Sequence, residues 1–381
     1  MTRNYSSIVL WASCLSCSIS FASNGLPPIQ STASDQYGRI TVNGRPFFPI
    51  LLYDVPTDRE SLKMFRKHGF NTLLGKPEVS DLLLANGFYT AVHVGKHPIR
   101  NLHGVLFGVG MDSPALYWKQ KLLEKAKTDL VRMRRLVPNR SIMNAIGYWE
   151  DEPTGVYSNK VPSKERYEEL VKVLDVSAPY LYPIPYQPVR SVGEAVKRAN
   201  AATDGKKPLL PILQLFTWDV KDRYPTPSEL KCMVYLSLIH GADGIGYYSY
   251  NHVSGKRGTN IAREQPELWQ EVKQINNEIA EIRPLLLEGT EVTVTLLEGR
   301  PEIEFRALRS ENETLLLLAN TASVPKTAVL SLPLYFEGKN KRSLKRLGGG
   351  KAILFEGSHV KISLGPNQAL GLIEYFGLRH L

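Results

Sequence analysis

The chain has 381 residues, 43% of them hydrophobic and 22% charged, which are globular values and exclude a disordered chain. Lys and Arg outnumber Asp and Glu by 47 to 37, giving a net charge of +10. No interleaved basic and aromatic motif accompanies that excess, so nucleic acid is not an expected partner.

Arg3 opens an uncharged stretch whose bulk comes from Ile8, Val9, Leu10, Trp11 and Leu15, and Ser20-Phe21-Ala22 has the small-x-small form of a cleavage site. Residues 1–22 therefore read as a signal peptide, too short and too Ser-rich to span a membrane well. The mature protein is expected to be exported, periplasmic or extracellular, without stable membrane insertion. A frayed N-terminal helix is the plainer alternative. A lipoprotein signal at Cys14 or Cys17 is the other, although Trp11 and Cys14 stand where such a signal wants Leu. Cleavage after Ala22 leaves Cys232 alone, so no internal disulfide can form. Cys232 sits in an apolar helix pattern and reads as a small buried residue rather than a nucleophile.

A Pro/Ser-rich lead precedes a hairpin over 37–48 that turns at Asn43-Gly44. Short apolar strands then alternate with helices. Strands are expected over 49–53, 71–74, 89–94, 143–149, 180–184, 209–215 and 244–250. Helices are expected over 58–68, 80–86, 113–136, 163–174, 192–202, 228–240 and 264–283. Much of the positive charge falls on the third of these helices, at Lys119, Lys121, Lys125, Lys127, Arg132, Arg134 and Arg135. It reads as a solvated face, with attraction to an anionic glycan as the sharper alternative.

Near-continuous apolar strands, each followed by a helix, imply a parallel sheet buried on both faces. The expected fold is α/β, a (β/α)₈ barrel over 37–287 with one degenerate unit. Seven strands are clear. The eighth is sought in 104–109, or a unit is shortened near 155–185. A doubly wound open sheet is the alternative, but the first strand runs into Asp54-Val55-Pro56 rather than a Gly-rich turn. After Pro284 the pattern changes to short strands separated by Gly, Asn and Pro, which predicts a small antiparallel β-sandwich over 288–381.

Active sites of parallel barrels lie at the C-terminal ends of the strands. The strand over 143–149 runs into Glu150-Asp151-Glu152-Pro153. Adjacent carboxylates cannot all ionise freely, so one is expected to keep its proton, as a general acid must. The structural alternative is a helix N-terminus, where acidic residues offset the dipole. Aromatic residues gather at the same predicted rim: Trp149, Tyr180, Tyr182, Tyr186, Trp218, Tyr247, Tyr248 and Tyr250. Flat rings of this kind stack on pyranose faces, though half of them would serve equally as core. Alternation puts Tyr248 and Tyr250 on one side and Tyr247 on the other. His93 closes the third strand and is a candidate substrate contact. No His-x-x-x-His spacing supports a metal site, and no phosphate loop, dinucleotide fingerprint or Gly-x-Ser-x-Gly is present. No cofactor is expected.

Trp149-x-x-Glu152-Pro153 resembles the fourth-strand motif of retaining (β/α)₈ glycoside hydrolases, the superfamily of cellulases and β-galactosidases. The family's Asn-Glu-Pro triplet carries the acid/base Glu, which maps to Glu152, with Asp151 in the Asn position. The stretch 241–250 resembles the last barrel strand of such enzymes, and the sandwich with Leu364-Gly365-Pro366 resembles their accessory domain. The resemblance implies an exported hydrolase of poly- or oligosaccharide. Glu152 and Asp151 would be catalytic, and Asp54, His93, Trp149, Glu150, Tyr182, Gln214, Trp218, Tyr248 and Tyr250 would bind substrate.

One departure stands out. The family's nucleophilic Glu belongs at the end of the penultimate strand, where this chain offers Gln214. Four explanations stay open. Asp54 or Asp219 supplies the nucleophile. The enzyme inverts. The substrate assists, with Asp151 orienting a 2-acetamido group. Or the barrel binds carbohydrate without cleaving it. A metal-dependent hydrolase or lyase on the same barrel is a third class, with little in the sequence to support it.

Overall fold

The computed structural model describes residues 25–110, 120–147, 164–219, 221–254, 257–299, 301–332 and 341–375. The proposed signal peptide therefore lies outside the described residues, and so do Trp149, Glu150, Asp151 and Glu152.

Eight parallel strands close into a barrel: β4 (Ile50–Leu52), β5 (Thr72–Gly75), β6 (Tyr89–His93), β7 (Val105–Val109), β8 (Ser141–Gly147), β9 (Val176–Tyr180), β10 (Ile212–Gln214) and β11 (Ile245–Tyr248). Each pairs with its neighbours in sequence, and the pair Ile212–Tyr180 joins β10 to β9. The strand sought in 104–109 is β7. The chain passes from β6 to β7 with no helix between them, so this is the degenerate unit. Counting β7 makes the strand before the acidic segment the fifth of the barrel, not the fourth. The strand expected over 180–184 lies earlier, at Val176–Tyr180, because helix α4 (Lys164–Val173) ends before Leu174.

The bottom of the barrel is closed by a three-stranded meander, β1 (Thr32–Ser34), β2 (Ile40–Val42) and β3 (Arg45–Pro46). Its turn has positive φ at both Asn43 (52°) and Gly44 (77°), the geometry that an Asn-Gly hairpin provides. Ile29, Ile40 and Val42 fill the barrel floor against Leu51, Ala91, Met143 and Ala178. Arg140 locks the plug by donating to the carbonyls of Ile29, Gln30 and Leu102.

The outer layer contains α1 (Arg59–Lys67), α2 (Ser80–Ala85), α3 (Gln120–Leu136), α4, α5 (Arg190–Ala202), α6 (Pro227–Ile239), α7 (Ile261–Glu264) and α8 (Pro266–Glu288). Thr226 caps α6 in a full capping box with Glu229. α6 is apolar all round, and all but three of its residues are buried, because it lies between the barrel and the C-terminal sheets. α8 carries Pro284 within it and runs on to Glu288, past the end read from the sequence.

A six-stranded antiparallel sheet and a three-stranded one follow, spanning Thr290 to Tyr375. Leu315 and Leu317 of the larger sheet share one core with Leu236 of α6 and Ile279 of α8. The opposite face, with Leu316 and Leu318, packs on the smaller sheet through Ala328, Leu330 and Ile362. This is the expected sandwich. One of its strands, Lys341–Arg346, escapes the sequence reading because Leu344 is its only strongly apolar residue. Among the described residues no helix is long and apolar enough to cross a membrane.

Candidate active site

Parallel strands all aim the same way, so the described residues after β4, β6, β9, β10 and β11 meet at one rim. A cleft of about 740 Å³ opens there, lined among others by Asp54, Tyr248, Asn251, His252, Thr259 and Arg263. That volume suits a ligand of several rings. Its outer wall is the hairpin β12 (Asn251–Ser254) and β13 (Arg257–Asn260).

Aromatic rings form a continuous shelf across the rim. Tyr180 stacks on Tyr182 at 5.4 Å and 26°, and Tyr182 stacks on Tyr248 at 5.7 Å and 17°. Tyr248 meets Tyr53 edge-on at 5.7 Å. Phe216 supports the shelf from its side, 5.0 Å from Tyr182 and 5.5 Å from Tyr248. Trp218 extends it, 6.0 Å from Tyr182, and its indole Nε1 donates to the Tyr182 carbonyl. His252 lies against Phe216 at 4.3 Å. Tyr53 and Phe216 drew no attention in the sequence. Their place beside strand-end aromatics was the available signal.

Asp54 follows β4 with φ +54°, a left-handed conformation uncommon outside glycine. Its carbonyl accepts from the backbone N and from Nδ2 of Asn251, which fix it to the chain leaving β11. Although one side opens on the cleft, desolvation by the surrounding protein raises the carboxyl above the ordinary Asp range. A hydrogen bond from Ser249 and the nearby His93 oppose that rise. His93, the last residue of β6, is exposed at the strand end, yet desolvation by the protein around it holds it below the ordinary His value, with Asp54 pulling the other way. His252 is likewise pushed down by burial.

Two predicted sugar contacts have structural roles instead. Gln214 is completely buried. Its Oε1 accepts from Ile184 N at 2.9 Å, and its Nε2 donates to the carbonyls of Ile184 at 2.8 Å and Phe216 at 3.1 Å. Both amide protons are thus used on backbone. Tyr250 is also buried, packed outside the barrel against Phe65 at 4.8 Å and Trp269 at 5.3 Å. Tyr248 faces the cleft while Tyr247 faces outward, its hydroxyl donating to Asn276 of α8. Asp219 lies in the loop after β10 near Tyr186 and Asp222, and it is not among the residues lining the cleft with Asp54. Cys232 is buried and its thiol is pushed well up by desolvation, which fits an inert residue.

Among the described residues no group of three His, Cys, Asp or Glu side chains could hold a metal ion. Gly147, the last residue of β8, sits beside Tyr180: a Cβ there would be 3.4 Å from the Tyr180 hydroxyl. The fifth barrel strand thus ends at the head of the aromatic shelf, and Glu150, Asp151 and Glu152 follow it in the sequence.

The fold, a closed (β/α)₈ barrel followed by antiparallel sheets, is similar to that of solved glycosidases. A β-galactosidase from Bacillus circulans sp. alkalophilus has a TM-score of 0.55 at 9% identity, covering 86% of this chain and 99% of that one. A β-L-arabinopyranosidase from Geobacillus stearothermophilus, in complex with arabinose, has a TM-score of 0.52 at 10% identity, covering 86% and 96%. At such identities the likeness is one of fold. No protein-family model and no curated protein sequence matches the chain.

Proposed function

We propose that the protein is an exported glycoside hydrolase that binds a poly- or oligosaccharide across the barrel mouth. The observation that supports this reading is the stack of Tyr180, Tyr182 and Tyr248, whose last ring, Tyr248, lines the same cleft as Asp54. Tyr248, the ring of the stack that lines the cleft, offers apolar surface for a pyranose ring, and tyrosine hydroxyls suit the sugar's polar edges. Such a shelf would orient the chain of sugars along the rim. Glu152 is the proton donor to the departing glycosidic oxygen in this reading, Asp151 its neighbour, and Trp149 and Glu150 contribute to the sugar subsites. Asp54, His93, Trp218 and Tyr248 contact substrate, while Gln214 and Tyr250 hold the scaffold. The excess of basic residues suits an anionic glycan.

The test is Glu152→Gln against a panel of neutral and anionic glycans. Loss of at least about a hundredfold in kcat is expected for the loss of a general acid. A wild-type rate in the variant removes Glu152 from the mechanism.

Gln214 favours a second reading, carbohydrate binding without hydrolysis, because its saturated amide occupies the position that resembles the family's nucleophile. Glycan binding with no product from the wild-type protein would decide for it.

A further inference from the structure

We propose that a second hollow beside the cleft holds the distal, uncharged units of a long oligosaccharide, so that the protein recognises a polymer rather than a disaccharide. This rests on the carbohydrate reading above. The hollow has a volume of about 420 Å³, within the range of small-ligand sites, and is lined among others by Thr217, Asp222, Arg223, Tyr224, Thr259 and Glu264.

Three features set it next to the cleft. Thr259 of β13 lines both. Arg263 lines the cleft and Glu264 the hollow, and their side chains pair at 3.5 Å. Thr217 follows Phe216, whose ring meets His252 of the cleft wall at 4.3 Å, and precedes Trp218 of the aromatic shelf. A glycan chain that crosses Thr259 therefore enters both.

The polar groups of the hollow are fixed by one another. Arg223 donates through Nη1 and Nη2 to the two oxygens of Glu229, at 2.7 and 2.8 Å. The Tyr224 hydroxyl donates to Glu264 at 3.2 Å, and the Tyr186 hydroxyl to Asp222 at 2.8 Å. Tyr186 is 50% exposed, so this last bond tethers an open aromatic ring at the margin of the hollow. Groups already held lose little freedom when a ligand arrives. A carboxylate that accepts one hydrogen bond keeps lone pairs for sugar hydroxyls. Charge then selects among sugars. Glu229 neutralises Arg223, and Arg263 stands on the cleft side of Glu264, so Asp222 and Glu264 leave the wall negative. A unit bearing a carboxylate is repelled there and a neutral unit is not.

The experiment is calorimetric titration of the full chain with cello-, xylo-, malto- and oligogalacturonate series, each from dimer to hexamer. For a neutral series that binds, the wild type should hold the hexamer at least about a hundredfold more tightly than the dimer. Asp222→Ala, which removes both an acceptor and the tether of Tyr186, should cut that ratio about tenfold, the size of one charge-assisted hydrogen bond. Tyr186→Ala, which removes an exposed ring, should lower the same ratio. Wild-type binding that does not tighten with length, or a ratio that neither variant lowers, overturns the second site and leaves the carbohydrate reading standing. An oligogalacturonate series that gains as much on lengthening overturns the restriction to uncharged units. Failure of all four series to bind the wild type overturns the carbohydrate reading and the second site with it.

Discussion

Gln214 is tied to Ile184 by two hydrogen bonds, one accepted from its N at 2.9 Å and one donated to its O at 2.8 Å. This pair joins the end of β10 to the loop after β9, and it leaves the amide no proton for a sugar. Gln214→Glu does not install a nucleophile. It removes both donated bonds and turns carboxylate oxygens toward the carbonyls of Ile184 and Phe216. Each buried group left unmatched costs about 1–3 kcal/mol. The variant is expected to lose roughly 3 kcal/mol in urea unfolding and to gain no activity. A stable variant with raised activity would show that the position is catalytic after all.

Tyr182 is the centre of the shelf, stacked on Tyr180 and Tyr248 and braced by Phe216. Tyr182→Ala removes the ring that holds Tyr248 in place at the cleft and should weaken oligosaccharide binding about tenfold, the size of one misplaced aromatic contact. Tyr247→Phe is the control. It loses only the outward hydrogen bond to Asn276, so it should cost about 1 kcal/mol in stability and leave affinity unchanged. Calorimetric titration with the best oligosaccharide separates the two. Equal affinities for wild type and Tyr182→Ala would remove the shelf from the binding site.

Much of this site was legible because strand ends are legible. Asp54 and Tyr248 were picked by asking which residues follow apolar runs, and both line the cleft at the barrel rim, with His93 at the end of β6 bearing on Asp54. The Asn43-Gly44 turn was readable for a local reason, its two positive φ angles. Alternation failed at Tyr250 because the strand stops at Tyr248, and past that point a period of two has no ladder to enforce it. Gln214 was misread as a sugar ligand because its partners are backbone atoms of a loop 30 residues away, which no spacing encodes. β7 was visible only as the strand needed to complete eight. Finding it moved the acidic segment one strand along the barrel from the position its motif resembles.

One buried acid ties together the two helices that lie against the C-terminal sheet. Glu278 of α8 is 2% exposed and accepts from Lys231 Nζ and from the Tyr235 hydroxyl, both at 2.6 Å. Both donors belong to α6, whose surface also carries the larger C-terminal sheet. Glu278→Ala leaves a largely buried ammonium and a buried phenol without their partner. Breaking such a pair from one side costs about 3–5 kcal/mol. Glu278→Gln keeps the shape and should cost less. Urea unfolding followed by Trp fluorescence checks this, and a change under 1 kcal/mol in Glu278→Ala would show that solvent reaches the pair.

Asp243 gives the fold a pH dependence of its own. It stands between α6 and β11, its carboxylate accepting from Leu209 N at 3.0 Å while its own N donates to the Leu209 carbonyl. Desolvation raises its pKa from 3.8 to about 7, against the opposing pull of the Leu209 hydrogen bond and Arg306. A raised carboxyl means that the native state holds a proton the unfolded chain has already released. The contribution to stability is therefore greatest below 3.8 and falls as pH climbs from there through about 7. One proton sets the limit, at most about 1.4 kcal/mol per pH unit in that window. Asp243→Asn can still accept from Leu209 through its amide oxygen but cannot ionise. Urea unfolding of the variant at several pH values should show a flatter profile than the wild type between pH 4 and 7, and it should be the more stable of the two at the upper end. Parallel profiles would mean that Asp243 carries its charge at no cost, paired more fully with Arg306 or Arg39 than its place between α6 and β11 suggests.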